Sequence, residues 1–353
     1  MTALCLGTFD TALEGKDVAF KARKAEWEQA FERAREEEQQ RIINGTVSSN
    51  ASEPMVWQRT NANFEHVRKL GSGKFGQVCE VRQITTGKLF AQKFIAAPPK
   101  ETAARALVKK QVLSEVAVME KLRHHHIASM LFYTEETSGF SLVMLPVADS
   151  NLREYLDGTA EEGFSRERVK ILDPWFGCLM SALAFAHSNL VKHEDIKLSN
   201  ILIKDRRVYL ADFGCAKDFE HAQSSISGEE SLTGTPAYWP PEKESRRGRA
   251  ADLFALGCVF SEMFTVRQGK SLTEYGEARK AEGKRCWYAF GENLTAVKTW
   301  LGRLDDIDKE IPSLLLEVIE IMLEEDPENR TDARRLRKRL RGDEESLFCG
   351  SCV

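Results

Sequence analysis

The spacing of apolar and polar positions along this 353-residue chain changes several times, and each change marks an element. From Val78 to Arg82 the two kinds alternate, Thr86-Gly87 offers a turn, and Leu89-Phe90-Ala91-Gln92-Lys93-Phe94 continues as a second strand. Between Lys109 and Leu122 the apolar residues Val112, Leu113, Val116, Met119 and Leu122 recur at helical spacing. Ser141 to Val147 is an apolar strand that runs into the breaker Pro146. Asn200-Ile201-Leu202-Ile203 and Val208-Tyr209-Leu210-Ala211 predict two short strands around a turn at Lys204-Asp205. Arg334 to Arg341 is basic, and Leu336 and Leu340 predict a helix that anchors them inward and leaves a solvated charged face. Lys16 to Ile43 is charged, with Phe20, Trp27, Phe31 and Ala34 near one helical face. It predicts an amphipathic helix, followed by a polar linker over Asn44–Pro54.

Chemistry-bearing residues sit between these elements. His193-Glu194-Asp195-Ile196-Lys197-Leu198-Ser199-Asn200 precedes Asp212-Phe213-Gly214, so two acids and an amide follow in order with a lysine among them. Gly71-Ser72-Gly73-Lys74-Phe75-Gly76-Gln77-Val78 fits G-x-G-x-x-G-x-V, where missing Cβ atoms let backbone approach a phosphate chain. A dinucleotide fingerprint would open a helix at this point. Here a strand follows, and no G-x-x-x-x-G-K-[ST] occurs, so neither a Rossmann site nor a P-loop is supported.

In this order the motifs resemble those of the eukaryotic-type serine/threonine protein kinases, over about residues 61–341. The resemblance implies an α+β, bilobal protein-kinase-like fold, with a β-rich N-lobe, a mainly helical C-lobe and ATP between them. It implies transfer of the γ-phosphoryl group of Mg-ATP to serine or threonine hydroxyls of protein substrates. Asp195 is expected to orient the hydroxyl and accept its proton, Lys197 to contact the γ-phosphate, and Asn200 and Asp212 to ligate Mg²⁺. Lys93 is expected on the α- and β-phosphates, held by Glu115, with Glu120 as the competing carboxylate. The nucleotide is expected against Leu70, Gly71, Ser72, Gly73, Lys74, Phe75, Gly76, Gln77, Val78, Ala91, Leu202 and the backbone of Leu145 and Val147, with Met144 as gatekeeper.

Gly234-Thr235-Pro236-Ala237-Tyr238-Trp239-Pro240-Pro241-Glu242 resembles the end of an activation segment. Its Glu242 is expected to pair with Arg330, and Asp252 to bond the catalytic-loop backbone. Glu194 departs from the family, which usually carries arginine there to clamp an activation-loop phosphate. An anion repels that phosphate, so activity is expected not to depend on phosphorylation of Ser224, Ser225, Ser227, Ser231 or Thr233. With every catalytic residue present, a scaffold without turnover is disfavoured. A small-molecule kinase is disfavoured because the peptide-docking segment is present.

Composition narrows the setting. Net charge is −4 and 42% of residues are hydrophobic, which suits real cores and gives no overall attraction to nucleic acid. Met1 to Leu13 reads as no secretory signal, and no apolar run of about 18 residues suggests a membrane span. Scattered cysteines fit a reducing compartment, hence an intracellular protein, cytoplasmic or nuclear. Cys349-x-x-Cys352 lacks a second pair nearby and does not read as structural zinc, and Cys215 reads as a buried thiol beside the metal-binding acid. The segment from Arg267 to Arg303, with Trp287, Tyr288 and Trp300, reads as a helical connection rather than a substrate dock. The expected division is an N-terminal extension (1–60) whose helix meets the kinase domain or a partner, the kinase domain (61–341) and a short tail (342–353).

Overall fold

The computed structural model describes residues 64–73, 76–99, 102–218, 234–242, 248–280, 288–304, 313–342 and 345–352. They fall into two compact units. One runs to Lys110 and takes in Leu131–Val143; the other comprises Gln111–Met130 and the residues from Met144 onward. The N-terminal helix and linker, Lys74, Phe75, the activation-loop serines, Thr233 and Trp287 lie outside the described residues.

The first unit is built on a five-stranded sheet of order β1-β2-β3-β5-β4, with β1 Phe64–Gly73, β2 Gly76–Gln83, β3 Leu89–Ala96, β4 Ser129–Glu136 and β5 Gly139–Leu145. The glycine-rich segment joins β1, a strand not among those predicted, to β2 as a hairpin: Gly71 faces Val78, Ser72 faces Gln77 and Gly73 faces Gly76. Gly76 has φ 141°, and a Cβ there would lie 2.3 Å from the Phe94 carbonyl oxygen, so no other residue fits without moving β3. The β2–β3 turn closes where Gly87 donates its N–H to the Gln83 carbonyl at 2.8 Å. Helix α1 (Ala103–Lys121) begins six residues before the predicted Lys109. Its first turns carry exposed residues such as Leu107 and give no apolar stripe to read. Its start is fixed by Arg105, whose guanidinium donates to the carbonyls of Pro98 (2.8 Å), Glu136 (2.7 Å) and Thr137 (3.1 Å) and pairs with Glu135. These contacts satisfy a buried cation in the only way a core tolerates one.

The second unit is mainly helical. Its centre is α4 (Asp173–Ser188) and α5 (Arg249–Arg267), both buried almost all round. Around them stand α2 (Leu152–Glu161), α3 (Arg166–Lys170), α6 (Leu272–Ala278), α7 (Leu294–Leu304), α8 (Ser313–Met322) and α9 (Ala333–Arg341). The α2 helix starts at a capping box, in which Asn151 accepts the Glu154 N–H while Glu154 accepts the Asn151 N–H. In α9 Ala333, Leu336 and Leu340 point inward, and Arg334, Arg335, Lys338, Arg339 and Arg341 are exposed, so most of the basic run is a solvated face; Arg337 alone in it is half-buried. Trp300 donates to Thr265 on α5 and stacks on Tyr275, which makes the described part of 267–303 a packed helical connection. The run Arg166–Ser188 is long and apolar enough by composition to cross a membrane, which the sequence reading overlooked; 72% of that window is buried within the protein, as core.

Short strands thread this helical unit: β6 (Ser150–Asn151) pairs β8 (Ile201–Lys204), β8 pairs β9 (Arg207–Leu210), and β7 (Val191–Lys192) pairs β10 (Lys217–Asp218). The β8–β9 turn lies at Asp205-Arg206, one residue beyond the expected place, with φ 49° and 60°. Two positive φ values suit the right-handed twist of a two-residue hairpin.

The tail packs against the helical unit: Leu347, Phe348 and Cys352 are buried in its core. The strap lies so close to α4 that a Cβ on Gly177 would sit 2.3 Å from the Leu347 carbonyl oxygen. Cys349 and Cys352 therefore do find partners, His126 and Cys178, supplied from far away in sequence rather than by a neighbouring pair.

Candidate active site

The catalytic-loop residues all lie in the helical unit, between β7 and β8. Asp195 is buried, and its carboxylate is gripped from both ends. Lys197 Nζ donates to Oδ2 at 2.7 Å and Thr235 Oγ1 donates to Oδ1 at 2.8 Å, while Lys197 also reaches Thr235 at 2.8 Å. Asn200 places its amide NH₂ on the Asp195 carbonyl (2.9 Å) and on Oδ2 (3.1 Å). The amide oxygen of Asn200 is thereby turned away from Asp195. Oriented so, the aspartate is a fixed acceptor rather than a rotating one.

The backbone of this loop hangs on α5. Asp252, 2% exposed, accepts the N–H groups of His193 (Oδ2) and Glu194 (Oδ1), each at 2.9 Å, and the Nε2–H of His187 at 2.9 Å. Burial alone would raise the Asp252 carboxyl. The His187 hydrogen bond and charge, with His193 behind them, hold it below its ordinary value. Glu194 has φ 62°, a left-handed conformation that costs a side-chain-bearing residue about 1–2 kcal/mol. The bond to Asp252 holds it there.

His193 is fully buried, and its partners fix its tautomer. Nδ1 accepts the Asp195 N–H at 3.3 Å, so Nε2 carries the proton that it donates to the Ala211 carbonyl at 3.0 Å. Its ring lies 4.6 Å from that of Phe213. Through this one imidazole the catalytic loop is tied to the segment holding Asp212. That acid is itself left-handed (φ 64°, ψ 69°), a region that Asp tolerates better than most.

The remaining predicted residues lie where their elements carry them. Leu70, Gly71, Ser72 and Gly73 are on β1, Gly76, Gln77 and Val78 on β2, and Ala91 and buried Lys93 on β3, where Lys93 faces Val78 in register. Glu115 is buried on α1 while Glu120 is exposed. Leu113, one of the apolar residues at helical spacing, is 38% exposed and does not share the inward face of α1. Met144 and Leu145 end β5, Val147 follows them, and Leu202 is on β8. Cys215 is buried.

The expected Glu242–Arg330 pair forms: Arg330 Nη2 donates to Glu242 Oε2 at 2.7 Å and Nη1 to Oε1, with the guanidinium over the Phe254 ring. Sequence reasoning missed Glu262 on α5, which accepts the Tyr238 hydroxyl at 2.9 Å. Burial pushes this carboxyl up to about 7 against the pull of Arg279 and the Tyr238 bond. A lone glutamate in the apolar run from Leu253 to Val266 was the available signal. His187 left no comparable trace.

A match to the protein kinase domain family covers residues 64–339. The chain belongs to that family. Among its relatives, mitogen-activated protein kinase kinase kinase A of Dictyostelium discoideum is 31% identical over 59% of this chain and 22% of its own length. The RAC serine/threonine-protein kinase of Drosophila melanogaster is 29% identical over 64% of this chain and 35% of its own. The human RAC-beta serine/threonine-protein kinase is 30% identical over 59% of this chain and 42% of its own. The chain thus spans less than half the length of each of these relatives.

Proposed function

We propose that this protein kinase-family chain transfers the γ-phosphoryl group of Mg-ATP to serine and threonine hydroxyls of protein substrates. The observation that carries the reading is the Asp195 carboxylate held by Lys197, Thr235 and Asn200. An acceptor fixed in this way can orient an incoming hydroxyl and take its proton as the new O–P bond forms. Lys197 places a cation beside that oxygen, suited to the charge on the transferred group. In the sheet unit the β1–β2 glycine hairpin and Lys93 have the character of a triphosphate cradle, and Glu115 the character of the acid that steadies the lysine.

Two oxygen donors fit Mg²⁺: the Asp212 carboxylate and the Asn200 amide oxygen, whose NH₂ is already committed to Asp195. When bound, the ion neutralises phosphate charge. The Lys197–Thr235 pairing supports the serine/threonine class over the tyrosine class. The scattered placement of the cysteines along the sequence supports an intracellular setting, cytoplasmic or nuclear. A partner of the N-terminal helix and the expected domain limits remain part of this proposal.

The test is transfer from labelled Mg-ATP to a mixed protein substrate, with Asp195→Asn alongside and phosphoamino-acid identification. Phosphoserine or phosphothreonine that disappears in the variant is expected. Mg-ATP binding without transfer would overturn the reading in favour of a scaffold.

A further inference from the structure

Four metal-ligating side chains converge on one point of the helical unit, away from the residues assigned above. His126, Cys178, Cys349 and Cys352 place their ligand atoms within 4.8 Å of one another. They come from three separate stretches: the turn after α1, the middle of α4, and the C-terminal strap. We propose that these residues form a tetrahedral Cys₃His site for a structural Zn²⁺ ion, which fastens the strap to α4 and to the strand edge at β9.

The spacing suits the ion. With Zn–S of about 2.3 Å and Zn–N of about 2.0 Å, tetrahedral ligands stand roughly 3.5–3.8 Å apart. The observed 4.8 Å limit needs only a small contraction.

The histidine is prepared for the role. Its Nδ1 lies 2.8 Å from the Val208 carbonyl oxygen, which can only accept, so Nδ1 carries the proton. The lone pair is therefore on Nε2, and Nε2 is the atom aimed at the sulfurs, 3.1 Å from Cys349 Sγ. A ring N–H bonded to a carbonyl behind a ligating imidazole is the usual support of such a ligand. The backbone fixes it further, since Leu210 donates to the His126 carbonyl at 2.9 Å and Ala128 to the Leu210 carbonyl at 2.9 Å.

The sulfurs are prepared too. The Cys349 N–H points at Cys178 Sγ at 3.4 Å, and Cys352 N–H closes a tight turn on the Cys349 carbonyl at 2.8 Å. That turn brings both thiols of the C-x-x-C to the same side. Cys178 and Cys352 are buried, so the cluster is shielded from solvent. Binding releases a proton from each thiol and none from the imidazole, leaving a net charge of −1 on the bound centre. The Arg337 guanidinium reaches the Cys352 carbonyl at 3.5 Å and has a buried Nε with no hydrogen-bond acceptor among the described residues, a charge of the right sign beside the cluster. Soft thiolates exclude Mg²⁺ and Ca²⁺ and favour zinc.

The experiment is metal analysis of the full chain purified without chelator, with zinc and protein measured on the same sample. Metal-free, reduced protein is then titrated with Co²⁺, whose thiolate charge-transfer and tetrahedral ligand-field bands report the donor set. One zinc per chain, or one Co²⁺ taken up with thiolate bands, is the expected result. Cys349→Ser with Cys352→Ser should lose both. Should that double variant fail to fold, the parent chain's zinc content and cobalt spectrum decide alone. Protein that carries no stoichiometric zinc and gives no thiolate–cobalt bands after reduction overturns the site. So does a Cys349–Cys352 disulfide found by mass spectrometry in protein isolated under thiol-blocking conditions from reducing cells.

Discussion

Removing the Asp252 carboxylate should loosen the catalytic loop and the core together, by an amount the hydrogen bonds allow one to work out. Asp252→Ala strips the acceptor from two buried backbone N–H groups, His193 and Glu194, and from His187 Nε2. Leaving a buried donor unsatisfied costs about 1–3 kcal/mol, so the two amides alone predict about 2–6 kcal/mol. That is a large share of the roughly 5–15 kcal/mol that holds a typical domain together. Asp252→Asn is nearly isosteric but offers one acceptor oxygen, and its NH₂ faces the other amide donor. Its cost should fall at about 2–3 kcal/mol. Urea unfolding followed by tryptophan fluorescence measures both, and steady-state phosphotransfer measures the second consequence. Because Asp252 positions Asp195 without touching substrate, kcat should fall far more than KM rises in whatever fraction remains folded. An alanine variant whose urea midpoint moves by the equivalent of less than about 1 kcal/mol would refute the reasoning, since the two amides would then have found other partners at no cost.

Other consequences can be checked as directly. Between about 4.5 and about 7 the native chain holds a proton on Glu262 that the unfolded chain has lost, so stability should fall as pH rises through that window, by about 3 kcal/mol in all. Melting temperature against pH should show this slope in the parent and lose it in Glu262→Gln. Arg330→Met leaves the Glu242 carboxylate without its fork and should cost about 3–5 kcal/mol in chemical denaturation, while Arg330→Lys keeps the charge and recovers only part. Alanine at Ser224, Ser225, Ser227, Ser231 and Thr233 together should leave phosphotransfer largely intact, because Glu194 offers no receptor for a phosphate. Abolished transfer in that variant would sink the argument.

Period and spacing made the chemistry legible wherever it is local. The strands β2 and β3 after the glycine-rich motif were readable because alternation continues past Gly76, though β1 before it was not, and Asp195, Lys197 and Asn200 were readable because they fall within six residues of one loop. Long-range partners with complementary charge were also readable, as with Glu242 and Arg330. What stayed hidden was decided by packing. The first turns of α1 carry no apolar stripe, since Arg105 holds them through carbonyls contributed by another loop. Leu113 looked inward by spacing but emerges on the solvent side. The Cys349-x-x-Cys352 pair looked solitary because its partners, His126 and Cys178, stand more than 170 residues upstream, and no window along a chain reports such a convergence.

The three bonds to Asp252 bear on how this loop breathes. Surface loops near a reacting group ordinarily exchange their amide hydrogens through small local openings, at a fraction of the free energy of whole-domain unfolding. The His193 and Glu194 amides instead end on a buried carboxylate in the first turn of α5, the most buried helix of the unit, so releasing them requires the buried start of α5 to open. Their deuterium uptake should therefore be as slow as that of the α5 backbone, and denaturant should accelerate both alike. A chemically busy segment of this chain is, on the timescale of minutes to hours, part of its most rigid layer.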